Sequence, residues 1–411
     1  MALEVREITE VDDLRTAART DLFSFGRVFD EGFFEETLEL RRTTTSYLAE
    51  IDGSPAGSCL VHPFDITLPG GTSVGLSGIG DVGVLPSHRR RGVLSTMMDR
   101  MLADGAAAGH VAAGLYASEP TIYGRFGFGA ATRELKVRID TRRAAMRAGA
   151  PVADGGVEVI HPEDRIDVLE PIHRKAITRR PGEVSRNLQR WMHRLGGYEH
   201  EQGNLMCLAH RSPAGGLDAY ALYVVRADWR PSGPEHELEV VELFGLDAGA
   251  ELAMWQAVLQ LDLIRTVVAW IPGDGLLFDV LADRWAPDSV GQHDGLWLRL
   301  LDVPAALAGR TYRTQTELVI DVVDHRQPSG ATTAGTWRLV TDASGAGRIE
   351  RSTQEPDLRL GVAELGSVVL GGGSLARLSE AGRVEELADG ALQRADAAFG
   401  WWPSPWITEF F

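Results

Sequence analysis

A short apolar strand that leads through a basic turn into a helix limits the possible folds more than any other segment of this chain. The strand covers Gly80 to Leu85 and the turn contains His88-Arg89-Arg90-Arg91-Gly92. Apolar residues then recur at helical spacing, at Leu94, Met97, Met98, Met101 and Leu102. The N–H groups of a helix's first turn lack internal partners and carry the positive end of the helix dipole. This arrangement predicts an α/β fold with a site for an anion, such as a pyrophosphate, at the turn.

The segments around this turn predict further strands and hairpins. Residues 3–8 alternate in the manner of a strand, and a helix is expected to follow from about residue 11. Asp52-Gly53 favours a tight hairpin turn, because these residues readily adopt the positive φ angles that such a turn requires. Pro69-Gly70-Gly71 predicts a second turn. Two more strands are predicted at 111–116 and 135–139.

The later part of the chain first repeats this order and then changes it. A strand, a helix and a strand without the basic turn indicate a degenerate internal copy, at 238–246, 252–261 and 266–271. Beyond about residue 305 an α+β unit is predicted. Its strands are expected at 317–323, 336–340 and 358–370, and its helical stretches at 375–387 and 391–399. The irregular segment 141–155 is expected to be a linker.

Two motifs in this order carry a resemblance to a known family. Arg89-x-x-Gly92-x-Leu94 is similar to the acetyl-CoA motif Gln/Arg-x-x-Gly-x-Gly/Ala of GNAT acetyltransferases, with Leu94 in place of the small residue. About 30 residues later, Tyr123-Gly124-Arg125-Phe126-Gly127-Phe128 is similar to the second GNAT signature, Tyr-x-x-x-Gly-Phe. With the Arg-Arg-Arg-Gly run, the length of 411 residues and the terminal Phe411, the chain resembles the enhanced intracellular survival (Eis) family of N-acetyltransferases.

The resemblance implies a fold class and a division of the chain. It implies a mixed α/β and α+β protein with tandem GNAT domains, the second degenerate, followed by an α+β domain similar to sterol carrier proteins. On this basis the predicted domains are residues 1–150, 151–304 and 305–411. The resemblance also implies assembly as a homo-hexamer.

The same resemblance implies roles for individual residues. The pantetheine arm of acetyl-CoA would lie along the backbone of Val82, Gly83 and Val84. Ser118 and Glu119 would line the same site. Tyr123 would be the general acid, and the terminal carboxylate of Phe411 the general base. The phosphates would be held by Arg90, Arg91, Gly92, Val93, Leu94 and Ser95.

These roles suit the transfer of an acetyl group from acetyl-CoA to an amine. A primary amine with a pKa of about 10 is mostly protonated at neutral pH and must lose a proton before it attacks a thioester. A terminal carboxylate has a pKa of roughly 3.5 in water and becomes a better base when aromatic residues bury it. A tyrosine hydroxyl can protonate the departing sulfur. By resemblance, the expected substrates are amines of aminoglycosides or lysine side chains.

The net charge and the cysteines disfavour several other classes of protein. The charge of −17, from 41 basic and 58 acidic residues, disfavours nucleic acid and favours a cationic substrate. Asp30, Glu31, Asp65 and Asp81 are candidate contacts for such a substrate. Cys59 and Cys207 stand far apart without a CxxC motif, so no disulfide framework or metal site is predicted, and a cytoplasmic location is expected.

The N-terminus predicts no secretion signal, because acidic residues interrupt it, and no apolar run is long enough to predict a membrane span.

Each residue singled out above also has a plain structural explanation. A basic turn is commonly a solvated run of charge, and a lone Tyr123 is more often a packing aromatic than an acid. The aromatic end of the chain, 401–411, is expected to dock against the protein whether or not Phe411 is catalytic. Two alternatives to a transferase stay open. One is a lipid or sterol carrier with an inert acyl-CoA-binding domain, and the other is a regulatory acetyl-CoA sensor without turnover.

Overall fold

The computed structural model describes residues 2–161, 165–201 and 205–411. The strands, in chain order, are β1 (Leu3–Ile8), β2 (Thr45–Ile51), β3 (Ser54–Thr67), β4 (Ser73–Val84), β5 (Ala112–Tyr116), β6 (Gly129–Ala130), β7 (Arg133–Asp140), β8 (Gly156–Val159), β9 (Leu205–Arg211), β10 (Leu217–Arg226), β11 (Trp229–Arg230), β12 (Gly233–Pro234), β13 (His236–Gly245), β14 (Ile264–Pro272), β15 (Pro287–Asp294), β16 (Leu296–Leu300), β17 (Thr316–Val323), β18 (Gly335–Thr341), β19 (Gly347–Arg351), β20 (Leu358–Gly361) and β21 (Val384–Glu386).

The helices, in chain order, are α1 (Val11–Ser24), α2 (Glu31–Arg41), α3 (Val93–Ala107), α4 (Pro120–Tyr123), α5 (Arg165–Ala176), α6 (Leu188–Glu201), α7 (Ala248–Leu259), α8 (Leu277–Val280), α9 (Val303–Gly309), α10 (Val362–Val368), α11 (Leu375–Glu380) and α12 (Ala391–Phe399).

The chain forms two compact units, and neither is a continuous stretch of sequence. The first unit contains Met1–Thr132, Pro181–Gln189 and Gly295–Phe411, and the second contains Arg133–Arg180 and Arg190–Asp294. The predicted boundary near residue 150 falls after β7, yet β7 pairs with β14 and β15 in the second unit. Conversely, β16 pairs with β5 and β6 in the first unit. Strand pairing therefore divides the chain differently from the three consecutive ranges predicted.

The sheet of the first unit that carries the basic turn has the order β1-β2-β3-β4-β5-β16-β6. Its first hairpin turns at Asp52 and Gly53, with φ angles of 51° and 78°, which confirms the predicted turn. Gly70 and Gly71 form the second turn, also with positive φ. α3 covers this sheet, and its predicted apolar stripe is buried, at Met97, Met98, Met101 and Leu102.

The sheet of the second unit repeats part of this arrangement. Its order is β15-β7-β14-β13-β10-β9-β8, and β13 and β14 are parallel. α7 connects them, so the predicted order of strand, helix and strand is confirmed. Its core lies between α7 and the sheet, with Met254, Val258 and Val267 among the fully buried residues.

The third sheet belongs to the first unit and has the order β19-β18-β17-β20-β21. The single strand predicted at 358–370 is wrong, because β20 ends at Gly361 and α10 follows at once. Val362, Leu365 and Val368 are buried at the spacing of one helix face. The helix predicted at 375–387 is also too long. α11 ends at Glu380, Gly382 turns the chain at a φ of 72°, and β21 follows.

The aromatic end of the chain is docked, as predicted. Trp406 and Ile407 are buried, whereas Trp402 and Phe410 are largely exposed. Among the residues that the structure describes, no helix has both the length and the apolar character needed to cross a membrane.

Candidate active site

A gap opens between β4 and β5 at the centre of the first sheet. The two strands are parallel and pair at only three positions, from Leu76 opposite Ala112 to Gly78 opposite Gly114. Beyond Gly78 they separate, although β4 continues to Val84 along β3 and β5 continues to Tyr116 along β16. The backbone edges that face this gap are therefore available to an extended ligand, which would occupy the place of a missing strand.

A bulge in β4 lies beside the gap. Leu60 of β3 is opposite Gly80 and Ser58 is opposite Gly83, so β4 contains one extra residue there, and Asp81 has a φ of 48°. Past the bulge, the Leu85 N–H donates to Ala56 O at 2.9 Å, toward β3. Because backbone groups alternate along a strand, those of Val84 point to the gap. Val82 lies within the bulge itself.

The strand then enters the predicted anion site at the start of α3. Gly92 precedes the helix with a φ of 86°, and no side chain of the described residues caps it. The first internal bond is made by the Thr96 N–H to Gly92 O at 3.0 Å, so the N–H groups of Val93, Leu94 and Ser95 come before it. The turn around them exposes three cationic side chains, those of Arg89, Arg90 and Arg91.

Leu94 fits this turn although the family motif has a small residue at its position. Its side chain packs against the core that contains Met97 and Met98. Its backbone N–H is left at the open end of the helix. The larger side chain is therefore directed to the core and does not cover the start of α3.

The second motif places Tyr123 just past the end of β5. Its side chain is buried and forms a hydrogen bond with Ser118, whereas Ser118 and Glu119 are exposed. Burial raises the pKa of Tyr123 above its usual value, and the hydrogen bond with Ser118 opposes this shift. Tyr123 therefore stays protonated at neutral pH and can donate a proton.

Gly127 of the same motif has a structural reason to be glycine. It has a φ of 83°, and a β-carbon there would overlap the buried guanidinium of Arg299. Arg299 donates to Phe126 O and, at 2.6 Å, to Asp324. The motif thus fixes the loop that carries Tyr123.

The chain end lies at the gap. A side chain on Gly80 would begin 3.2 Å from the carboxyl carbon of Phe411, and one on Gly78 would begin 3.1 Å from its ring. The ring centroid of Phe411 is 5.0 Å from that of Phe64 and 5.7 Å from that of Tyr116, the last residue of β5. The structure therefore brings the terminal carboxylate to β4 just before the bulge. Tyr123 lies on the loop that follows β5, and this loop begins next to the ring of Phe411.

A buried acidic residue near the bulge was missed by sequence reasoning. Asp21 of α1 is 8% exposed, and its Oδ1 has no hydrogen-bond partner among the described residues. Burial and the charge of Asp81 raise its pKa to about 7. Asp81 itself lies 3.3 Å from the Arg41 guanidinium. The available signal was its spacing, since Asp21 continues the buried stripe of Leu14, Ala17 and Ala18.

The structure also locates the two cysteines and the side chains that could hold a metal ion. Cys59 and Cys207 are buried free thiols, and burial raises the pKa of Cys207 to about 12. Within the described ranges, no three His, Cys, Asp or Glu side chains are grouped closely enough to hold a metal ion.

Comparison with protein families divides the chain into three matches. Residues 4–131 and residues 182–300 each match an acetyltransferase (GNAT) domain, and residues 303–408 match a sterol carrier protein domain. The predicted fold class, two GNAT domains followed by a sterol-carrier-like domain, is confirmed.

Comparison with single proteins gives relatives that match along most of the chain. An uncharacterized N-acetyltransferase of Streptomyces coelicolor is 39% identical over 85% of this chain and 84% of its own length. The N-acetyltransferase Eis of Mycobacterium tuberculosis is 30% identical over 84% of this chain and 82% of its own. The crystal structure of Eis1 from Mycobacterium abscessus superposes with a TM-score of 0.85 at 30% identity and covers all of both chains.

Proposed function

Because this chain belongs to the Eis family of GNAT N-acetyltransferases, we propose that it moves the acetyl group of acetyl-CoA to an amine of a polycationic substrate, such as an aminoglycoside or a lysine side chain. That the chain is an N-acetyltransferase follows from the family. The choice of substrate and the residue roles rest mainly on one observation, which is that the Phe411 carboxyl meets β4 at Gly80, where the gap opens toward the start of α3.

Acetyl-CoA fits the gap and the helix start together. An extended pantetheine arm would bond the backbone groups of Val82 and Val84, with Gly83 between them. The pyrophosphate would accept hydrogen bonds from the uncapped N–H groups of Val93, Leu94 and Ser95, beside Arg90, Arg91 and Gly92. Ser118 and Glu119 are exposed just beyond β5 and would line the same site.

The Phe411 carboxylate would accept a proton from the substrate ammonium. A neutral amine then attacks the thioester carbonyl carbon, and a C–N bond forms as the carbonyl becomes a tetrahedral oxyanion. When this intermediate collapses, the C–S bond breaks and the sulfur leaves with the electron pair. The hydroxyl of Tyr123, kept protonated by burial that raises its pKa, would give its proton to that sulfur. The nitrogen loses the extra proton that it carries after the attack, which leaves a neutral amide. Exchange with solvent then returns a proton to Tyr123 and removes the one held by the Phe411 carboxyl.

The charges near the gap favour a cationic substrate. Asp81 follows Gly80 directly and lies 3.3 Å from the Arg41 guanidinium, and Asp21 lies close by, where Arg41 and Arg27 compensate part of its charge. The terminal carboxylate adds a further negative charge at Gly80. These groups, with the chain's net charge of −17, would attract an amine that carries several positive charges.

Release of free thiol from acetyl-CoA tests this proposal. The untagged protein is assayed with and without kanamycin, and thiol release is expected only with the amine. Tyr123→Phe should lower kcat roughly 100-fold while acetyl-CoA still binds. Unchanged kcat in Tyr123→Phe would remove Tyr123 from the mechanism. Acetyl-CoA binding without turnover on any amine would instead favour a sensor or carrier.

A further inference from the structure

The last residues of the chain are well placed although they form no helix or strand. Between Trp406 and Phe411 the backbone has no regular secondary structure, yet Trp406, Ile407 and Glu409 are buried. Chain ends are usually poorly ordered unless other groups hold them. A carboxylate that takes part in a reaction must be held to within a fraction of an ångström. The contacts that hold this end therefore bear on catalysis.

Two buried acidic side chains hold the end of the chain to residues 181–189. The Arg186 Nε donates to the Glu409 Oε2 at 2.5 Å, and these side chains are 0% and 2% exposed. The Glu183 Oε2 accepts bonds from the Thr408 N–H at 3.1 Å and from the Thr408 hydroxyl at 2.7 Å. Only Phe410 separates these two anchored residues, Thr408 and Glu409, from Phe411.

The segment 181–189 is itself fixed to the sheet that carries the gap. Gly182 N–H donates to Thr67 O at 2.8 Å, Thr67 N–H donates to Glu183 O at 2.9 Å, and Ser185 N–H donates to Asp65 O at 2.9 Å. These bonds join it to the end of β3, which also supplies Phe64 against the ring of Phe411. The segment thus connects the chain end rigidly to β3, next to β4.

A buried ion pair is a poor means of adding stability. Removing two charges from water costs much of what their attraction returns, and apolar residues of similar size often stabilise a protein as well. What an arginine and a carboxylate add is direction, because their hydrogen bonds fix distance and angle. The Arg186–Glu409 pair is therefore better explained by the position it imposes than by stability.

We propose that Arg186 and Glu183 are positioning residues, which hold the Phe411 carboxylate at Gly80 through Glu409 and Thr408. The inference rests on the proposed role of that carboxylate as the general base. It also gives the degenerate acetyltransferase region a part in the reaction, since residues 181–189 lie almost wholly within the second GNAT match, 182–300.

Carboxypeptidase A, which removes exposed C-terminal aromatic residues, reports directly on the chain end. The full-length wild type should release Phe411 slowly. Arg186→Met should release it at least about tenfold faster and should have a kcat roughly 100-fold lower, with little change in the KM for acetyl-CoA. Arg186→Lys keeps the charge and should recover part of kcat, because an ammonium replaces the guanidinium with looser geometry.

Two further variants separate position from stability. Arg186→Met/Glu409→Met removes both charges, so it avoids a lone buried carboxylate and should fold with a Tm near that of the wild type. It should still show low kcat and fast release of Phe411. Arg194→Met is the matched control, because it breaks the buried Arg194–Glu242 pair, at 3.1 Å, in the second unit. It should lose stability without faster release of Phe411.

A protein with residues appended after Phe411 distinguishes the two levels of the argument. If the extension abolishes turnover but Arg186→Met/Glu409→Met keeps wild-type kcat, the positioning role is wrong and the base assignment stands. Equal acceleration of Phe411 release by Arg194→Met would also overturn the positioning role. If the extended protein turns over normally, the base assignment itself is wrong.

Discussion

The two acetyltransferase regions of this chain differ most where a helix begins. In the first, α3 starts at Gly92 with no side-chain cap, next to three arginines. In the second, α7 starts after Asp247, whose carboxylate accepts the Ala250 N–H at 2.8 Å. Glu251 adds another acid to the first turn of α7. A phosphate and a carboxylate compete for the same N–H groups, so the second helix start already contains its anion.

Other features of the two regions agree, which makes the helix starts informative. Both have a register shift in the strand before the helix, between Ser58 and Leu60 in β3 opposite β4, and between Leu222 and Tyr223 in β10 opposite β13. Both also pair this strand in parallel with the next. The packing of strand and helix in a GNAT fold therefore does not depend on an uncapped helix start.

Placing the second unit's carboxylate in the first should abolish acetyl-CoA binding. Gly92→Asp adds a negative charge where the pyrophosphate would lie, and a repulsion of about 4 kcal/mol at 4 Å corresponds to a roughly 1,000-fold loss of affinity. The position has room for a β-carbon. Isothermal titration calorimetry with acetyl-CoA measures the change.

Gly92→Asn is the matched control for this experiment. Asparagine imposes the same backbone strain at positive φ and nearly the same shape, without the charge. Its loss of affinity should be at least tenfold smaller by the same electrostatic argument. Equal losses in the two variants would mean that backbone conformation, not charge, distinguishes the helix starts.

The two units also bury carboxyl groups with different neighbours. Burial and the nearby Asp81 raise the pKa of Asp21 to about 7, although Arg41 and Arg27 oppose the rise, and burial raises the pKa of Glu251 against the opposing charges of Arg180 and Arg179. Between the ordinary Asp pKa of 3.8 and about 7, folded Asp21 holds a proton that the unfolded chain has released. Stability must therefore fall as pH rises through this window. Asp21→Asn should remove this fall and add about 2 kcal/mol at pH 8, and much less at pH 4.

Urea unfolding of the wild type and the variant at the two pH values checks this expectation. Glu251→Gln provides the comparison in the second unit and should also gain stability at the higher pH, because burial raises the pKa of Glu251. A parallel loss of stability with pH in wild type and Asp21→Asn would show that Asp21 is not the titrating group.

The smallest effect is expected from removing the cap of the second unit. Asp247→Ala should destabilise α7 by about 1 kcal/mol, whereas Asp247→Ser retains a capping oxygen and should lose less. Thiol release from acetyl-CoA should be unaffected in both. A collapse of turnover in Asp247→Ala would show that the second helix start participates in the reaction after all.

Local patterns explain which parts of this fold were predictable. The turns at Asp52-Gly53 and Gly70-Gly71 and the stripe on α3 follow from neighbouring residues, and they were predicted. The run 358–370 was misassigned because a short buried apolar run does not distinguish a strand from a helix. The exchange of β7 and β16 between sheets depends on pairing across more than 120 residues, on which local periodicity has no bearing.

The residues of the candidate site also differ in how far the sequence predicts them. The basic turn and the loop of Tyr123 could be predicted because each is a contiguous sequence motif. Phe411 was suggested only by resemblance, and its place at Gly80 depends on tertiary contacts. Arg186 was missed because a buried charge looks in sequence like any surface charge, whereas Asp21 has as its one sequence signal a position on the buried stripe of α1. The roles proposed for these residues stay predictions until the variants are made.

The position of β16 has a consequence for synthesis and inheritance. β5 leaves the ribosome about 180 residues before β16, its partner on one side. At a synthesis rate of roughly 5–20 residues per second, the edge of β5 stays unpaired for about 10–40 seconds before β16 is made. An unpaired strand edge is prone to bind other chains. A gene fragment that ends after the first acetyltransferase match would leave β5 permanently without β16. An inherited segment that extends to Leu300 is therefore expected to be less prone to association than one that stops at residue 131.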